Sequence, residues 1–329
     1  MATVIEANEI KSFSVPISSP DEDQITNILE VLSKHTWNIF GVSCLYGFET
    51  TEVQLKLYAK KINEEISNTL KQEDVSYKAK ISVLEDIASI LSPVDPPGIM
   101  IEVSAKTIGR EKDIVKTIYK GIMLSWKTTH STVQTGNAVR LPLLLCSGSK
   151  SCINAVHNTI NHLFDCMIIA LPAKQDDLMW LTLIILVQNE EESSSKKSLI
   201  KLKYIVPELS PMDTITTKFD FAAIITMLNA VTDYEENDST LEIVLNVYHI
   251  EKFFGCLHDQ MMHTAGLQLG LCTLNRIDLP SASVMENKVK VLSLNTMHRV
   301  LLYFNEKAIA ALHAQMSGSY IGTENRMES

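Results

Sequence analysis

Cysteine is scarce in this chain. Cys44, Cys146, Cys152, Cys166, Cys256 and Cys272 are spread over 329 positions, and none forms a CxxC pair. That is too thin for a disulfide scaffold, so a reducing compartment, cytosol or nucleus, is the expectation. Long apolar runs are missing too. The longest, Leu178 to Val187, is about half the ~20 residues a spanning helix needs. Asp176 and Asp177 precede it and Gln188 follows, so it reads as a buried core helix and no membrane is expected as a partner. The N-terminus lacks a basic region followed by an apolar core, so it is no secretory signal. Positive charge is in deficit as well. Lys+Arg is 29 and Asp+Glu is 39, a formal net charge of −10. This argues against a chain coated in basic charge for nucleic acid, but not against a local basic patch. The least acidic place to look is 241–329, with 7 basic and 8 acidic side chains, against 7 and 13 in 141–240.

The usual chemical signatures are also wanting. Gly-x-Ser-x-Gly, His-Glu-x-x-His and Gly-x-Gly-x-x-Gly are absent. Ser147-Gly148-Ser149-Lys150-Ser151 has one glycine and the wrong order for a phosphate loop, and reads as a turn leading into a helix. Cys256, His258, His263 and Cys272 supply sulfur and nitrogen, yet His258 lies off the face shared by Cys256 and His263 and no tight ligand pair exists. No metal and no cofactor is expected. His162 and Cys166, with Asp165 between them, are the one imaginable nucleophile group. The neighbours Met167, Ile168 and Ile169 are apolar, which favours a buried structural thiol.

What is present is a globular composition, 46% hydrophobic and 21% charged, in a length that suits one large domain or two smaller ones. Residues 1–20 read as a loosely held arm. Ser19-Pro20-Asp21-Glu22 has the form of a helix start, with Ile25, Ile28, Leu29 and Leu32 as its apolar face. Trp37 to Phe48 reads as a strand and Thr51 to Leu70 as a helix. Val75, Tyr77, Ala79, Ile81 and Val83 alternate with polar residues, Ile99, Ile101 and Val103 begin another strand, and Ile114 to Trp126 gives a third. Three such neighbours favour an antiparallel sheet with one covered face. Helices are expected over 150–164 and 175–188. The charged, Ser-rich stretch 190–197 marks the boundary between halves. Beyond it, Leu199 to Val206, Leu267 to Leu271 and Val289 to Leu294 alternate as strands, and Thr214 to Phe219 is a further candidate. Helical spacing covers 221–231, 242–263 and 296–314, and 315–329 is a polar tail. The expected fold class is α+β: largely antiparallel sheets flanked by helices, in two halves, 21–189 and 198–314.

Four segments, in order and at matching spacing, resemble one family. They are Leu32-Ser33-Lys34-His35-Thr36-Trp37 through Cys44-Leu45-Tyr46-Gly47-Phe48, Leu141-Pro142-Leu143-Leu144-Leu145 with its Ser-Gly-Ser turn, Phe164-Asp165-Cys166, and Asn287-Lys288-Val289-Lys290-Val291-Leu292. Together they are similar to the centromere protein L family over residues 32 to about 310. Asn287 stands where the family has glycine, and the family's basic, Pro-rich arm is missing.

The resemblance implies a non-enzymatic subunit of the constitutive centromere-associated network, nuclear and at the kinetochore, acting in chromosome segregation. It implies a curved antiparallel sheet and a heterodimer with centromere protein N, joined edge to edge through C-terminal sheets. The pair would link the centromeric nucleosome to neighbours that include centromere protein C and the H–I–K–M group. Strand addition satisfies the unpaired amides and carbonyls of an exposed edge. The candidate edges here are Leu199, Lys201, Lys203 and Ile205, and Leu267, Leu269 and Leu271. The resemblance also implies DNA phosphate contact, for which Lys288, Lys290 and Arg276 are the candidates. The alternatives are a free-standing DNA-binding protein and a thiol enzyme using Cys166 with His162.

Overall fold

The computed structural model describes residues 10–16, 31–33, 35–71, 74–84, 95–107, 115–126, 138–187, 198–210, 212–232 and 242–324; at 16, 242 and 316–324 it describes backbone alone. In chain order the elements are β1 (Ser12–Pro16), β2 (Thr36–Val42), β3 (Leu45–Tyr46), α1 (Glu52–Leu70), β4 (Val75–Leu84), β5 (Gly98–Thr107), β6 (Val115–Leu124), β7 (Ala138–Val139), β8 (Leu143–Gly148), α2 (Lys150–Phe164) and β9 (Ile168–Ala170). There follow α3 (Gln175–Leu186), β10 (Leu199–Ile205), β11 (Thr214–Asp220), α4 (Phe221–Thr232), β12 (Glu242–Asn246), α5 (Val247–Ala265), β13 (Thr273–Asp278), β14 (Ala282–Met285), β15 (Lys288–Val291) and α6 (Leu294–Glu324). The α+β class expected from the sequence is what is found.

Two compact units divide the chain. Of the described residues, the first holds those within 37–171 and from 304 on; the second holds those within 10–36 and 172–303. The units part between Leu171 and Pro172. The stretch 190–197, on which the sequence-based boundary rests, lies outside the described residues, as does most of the expected helix that begins at Ser19.

The first unit is built on an antiparallel sheet in the order β2-β8-β6-β5-β4, with β9 on β2. Period-two alternation decides its faces. Ile99, Ile101 and Val103 join the core with α1 and α2, while Met100, Glu102 and Ser104 turn away. Phe48, Tyr58 and Phe164 close one end of that core, with ring centroids 4.8 to 5.7 Å apart. The Ser-Gly-Ser turn works as expected. Ser149 caps α2 by accepting from the Cys152 amide at 3.4 Å. Gly148 is required there, because a Cβ would lie 2.6 Å from the Ile118 carbonyl oxygen.

The second unit holds the sheet β11-β10-β13-β14-β15, antiparallel throughout. One face is core: Ile200, Leu202, Tyr204, Phe219, Leu274, Ile277, Ala282, Val284, Val289 and Val291 are buried. Helix α3 is apolar on nearly every side and packs on β13 and β14. Polar contacts fix both its ends. Asp177 accepts from the Lys174 amide at 2.7 Å and from the Tyr303 hydroxyl at 2.9 Å. At the other end the buried Arg299 guanidinium donates to the carbonyls of Ile184 and Val187, C-terminal groups that a helix leaves without partners. Burial pushes the Arg299 pKa down to about 10.

Several expectations need correction. Residues 12–16 are not loose: Phe13 and Val15 are buried, and β1 pairs antiparallel with β12. Residues 242–246 are not the start of a helix. Ile243, Val244 and Leu245 form β12, and Asn246 begins α5 by accepting from the His249 amide at 3.0 Å. Helix α6 continues past 314 to Glu324, where a tail was expected.

Leu267, Leu269 and Leu271 form no strand. Gly266 ends α5 in the left-handed region at φ 64°, and Leu269–Leu271 is a 3₁₀ turn before β13 starts at Thr273. Leu269 is buried and Leu271 is exposed, an alternation produced by the turn rather than by a pleat.

Candidate functional site

The expected edge at Leu199, Lys201, Lys203 and Ile205 is an interior strand. β10 pairs with β11 on one side and β13 on the other. Among the described residues β11 is the outermost strand at that end of the sheet. The physical reason is sequential pairing: the β10–β11 hairpin places β11 outside the strand that precedes it.

The register joins residues of the expected edge strand to the candidate phosphate contacts. Across the ladder, Thr216, Lys203, Arg276, Met285 and Lys288 stand in one row. In the next row stand Lys218, Lys201, Asp278, Ser283 and Lys290. Paired residues share a face, as do residues two apart. Lys201, Lys203, Lys218, Arg276, Lys288 and Lys290 therefore all lie on the face opposite the core. Lys201, Lys218, Lys288 and Lys290 are exposed; Lys203 and Arg276 are half-buried.

Lys218 opposes Lys201, and Lys203 opposes Arg276. Like charges directly opposite one another destabilise a sheet. On this face Arg276 forms an ion pair with Asp278 at 2.8 Å. A bulge at Asn275 brings Arg276, rather than its neighbour, opposite Lys203. Lys218 escaped the sequence reading. Its signal was the alternation Thr214, Thr216, Lys218 against Ile215, Thr217, Phe219, which locates a face but not the strands beside it.

The weighed catalytic and metal groups do not assemble. Burial raises the Cys166 pKa to about 11, and its thiol points at the Ile160 carbonyl and the Asn161 side chain, at 3.6 and 3.7 Å. His162 is exposed. His258 lies beside Tyr204, Nε2 to hydroxyl 3.3 Å. Among the described residues no three His, Cys, Asp or Glu converge as metal ligands would. Likewise, among them no helix is long and apolar enough to cross a membrane.

The fold defines a class, an α+β protein with antiparallel sheets flanked by helices, and the outer face of the second unit's sheet is cationic. The chain belongs to the centromere protein L family, whose profile matches residues 31–314. No curated protein sequence matches it. The family is a structural one of the centromere and kinetochore, not a known enzyme family, and it implies inner-kinetochore protein partners.

Proposed function

We propose that the chain is a structural subunit of the inner kinetochore that forms a heterodimer with centromere protein N by strand addition at β11, and that the cationic sheet face contacts DNA phosphate within the assembly. The pair then links the centromeric nucleosome to centromere protein C and the H–I–K–M group. The observation carrying the DNA part is the cationic face with its two like-charged cross-strand pairs. Such pairs cost stability in the free chain and are relieved by an anion. Exposed aromatic side chains are absent from both rows, so bases have nothing to stack on and duplex phosphate is the fitting ligand. The overall charge of −10 keeps this contact weak in isolation, and avidity in the assembly supplies the rest.

Co-expression with centromere protein N, followed by size exclusion with light scattering, tests the first part. A one-to-one heterodimer is expected, lost on Ile215→Asp in β11 while the variant's own melting transition persists. A wild-type chain that stays monomeric beside centromere protein N overturns it. Fluorescence anisotropy with a short DNA duplex tests the second. Each phosphate contact adds about 0.9 to the slope of log affinity against log salt. Lys288→Glu with Lys290→Glu lowers that slope by about 2, and so does Lys201→Glu with Lys218→Glu. Unchanged slopes in both pairs overturn the DNA reading.

A further inference from the structure

We infer that the free edge of β4, in the first unit, is a docking site for an extended segment of a partner protein that alternates acidic and apolar side chains. This surface is separate from β11 and does not depend on the reading given to it. β4 is 10 residues long and is the last strand of its sheet; among the described residues it pairs with β5 alone. About half the backbone N–H and C=O groups of such a strand point away from its one neighbour.

The apolar row on β4 is incompletely covered. Val75, Ala79, Ile81 and Val83 are half-buried, whereas Ile99, Ile101 and Val103 on β5 are buried at 0–1% exposure. Among the described residues β5 has a strand on each side and β4 has one on one side only. A strand added outside β4 brings an apolar side chain against each of them.

Charge then selects the occupant. Lys78 and Lys80 are exposed on the opposite face. Lys80 stands opposite Glu102, and Glu102 opposite Lys120, whose Nζ lies 3.9 Å from Oε1 of Glu102. Charge thus alternates along this row, and the next position outward from Lys80 calls for a carboxylate. A second copy of β4, paired antiparallel about its middle, sets lysine against lysine, which a sheet disfavours. A nucleic acid would meet Glu102 in the centre of the row and leave the apolar residues uncovered. An acidic and apolar β-segment answers the backbone, the apolar row and the lysines together.

The test uses the full chain with fluorescein-labelled peptides matching β4 in length, one alternating Glu with Val and one alternating Lys with Val, and a DNA duplex as a third probe. The Glu–Val peptide is expected to bind about tenfold more tightly than the Lys–Val peptide. Lys78→Glu with Lys80→Glu, both exposed, reverses that preference without moving the melting transition. The inference is overturned if neither peptide binds, if both bind alike, or if the double variant keeps the original preference. Loss of DNA binding in the double variant with peptide binding intact also overturns it.

Discussion

Lys203 stands directly opposite Arg276 across the β10–β13 ladder, two cations side by side on the outer face of one sheet. The Arg276 guanidinium is turned onto Asp278, with Nε and a terminal nitrogen 3.0 and 2.8 Å from Oδ1. Ser283 donates to the same oxygen at 2.5 Å. Asp278 therefore holds Arg276 in place and at the same time cancels part of the positive field.

Asp278→Asn separates those two effects. The variant loses charge-assisted hydrogen bonds at a partly exposed site, a cost of about 1 kcal/mol. It also removes the carboxylate from the cationic rows. DNA affinity by anisotropy is expected to rise while the urea midpoint falls. A drop in both would mean that the placement of Arg276 matters more than net charge.

Tyr303→Phe probes the start of α3. The ring keeps its edge contact with Phe13, centroids 5.8 Å apart, and loses the hydroxyl that donates to Asp177. A hydrogen bond to a carboxylate contributes about 1.5–3 kcal/mol, more than a neutral one. Thermal melting is expected to fall by roughly 3–12 °C at 2–4 °C per kcal/mol. An unchanged transition would show that Asp177 is satisfied without Tyr303.

His157 makes stability fall in acid. It is buried against the Phe40 ring at 4.7 Å, with Nε2 3.5 Å from the Tyr119 hydroxyl. Burial lowers its pKa from 6.5 to about 4. Between those values the unfolded chain binds the proton and the native chain does not, so stability is complete above 6.5 and is lost as pH falls toward 4. A change from 6.5 to about 4 corresponds to a ceiling of about 3 kcal/mol. His258 is shifted in the same direction by burial and acts with the same sign. Urea unfolding at neutral pH and at pH about 5 reads the loss, and His157→Gln is expected to flatten it.

The thiols should sort by burial. Cys146, Cys152 and Cys166 have pKa values raised by burial to about 12, 11 and 11, whereas Cys256 is exposed. Since the thiolate is the reactive form, Cys256 is alkylated first by iodoacetamide in the native chain. Rapid labelling of Cys166 would reopen the thiol-enzyme alternative.

Local patterns carried much of the fold. Alternation located β4 and β5, spacing located α1 and α2, and the Ser147-to-Ser151 turn leads into a helix as expected. The failures were also local. The Leu267, Leu269 and Leu271 alternation belongs to a 3₁₀ turn, because a period of two in three leucines does not separate a pleat from a tight turn. β12 was hidden against α5, since Ile243, Val244 and Leu245 suit either state until β1 offers a ladder.

For the candidate site, sequence alone determined the kinds of side chain, their spacing within a strand and the family to which they belong. Lys288 and Lys290 had to share a face wherever their strand lay, because side chains two apart on a pleat always do. Only the tertiary structure decided which strands lie side by side. Lys203 and Arg276 are 73 positions apart in the chain (276 − 203), and no spacing rule links them; hydrogen-bond register does. That same register made β10 interior and, among the described residues, β11 the outermost strand, because whether a strand has one neighbour or two depends on the rest of the sheet and not on its own residues.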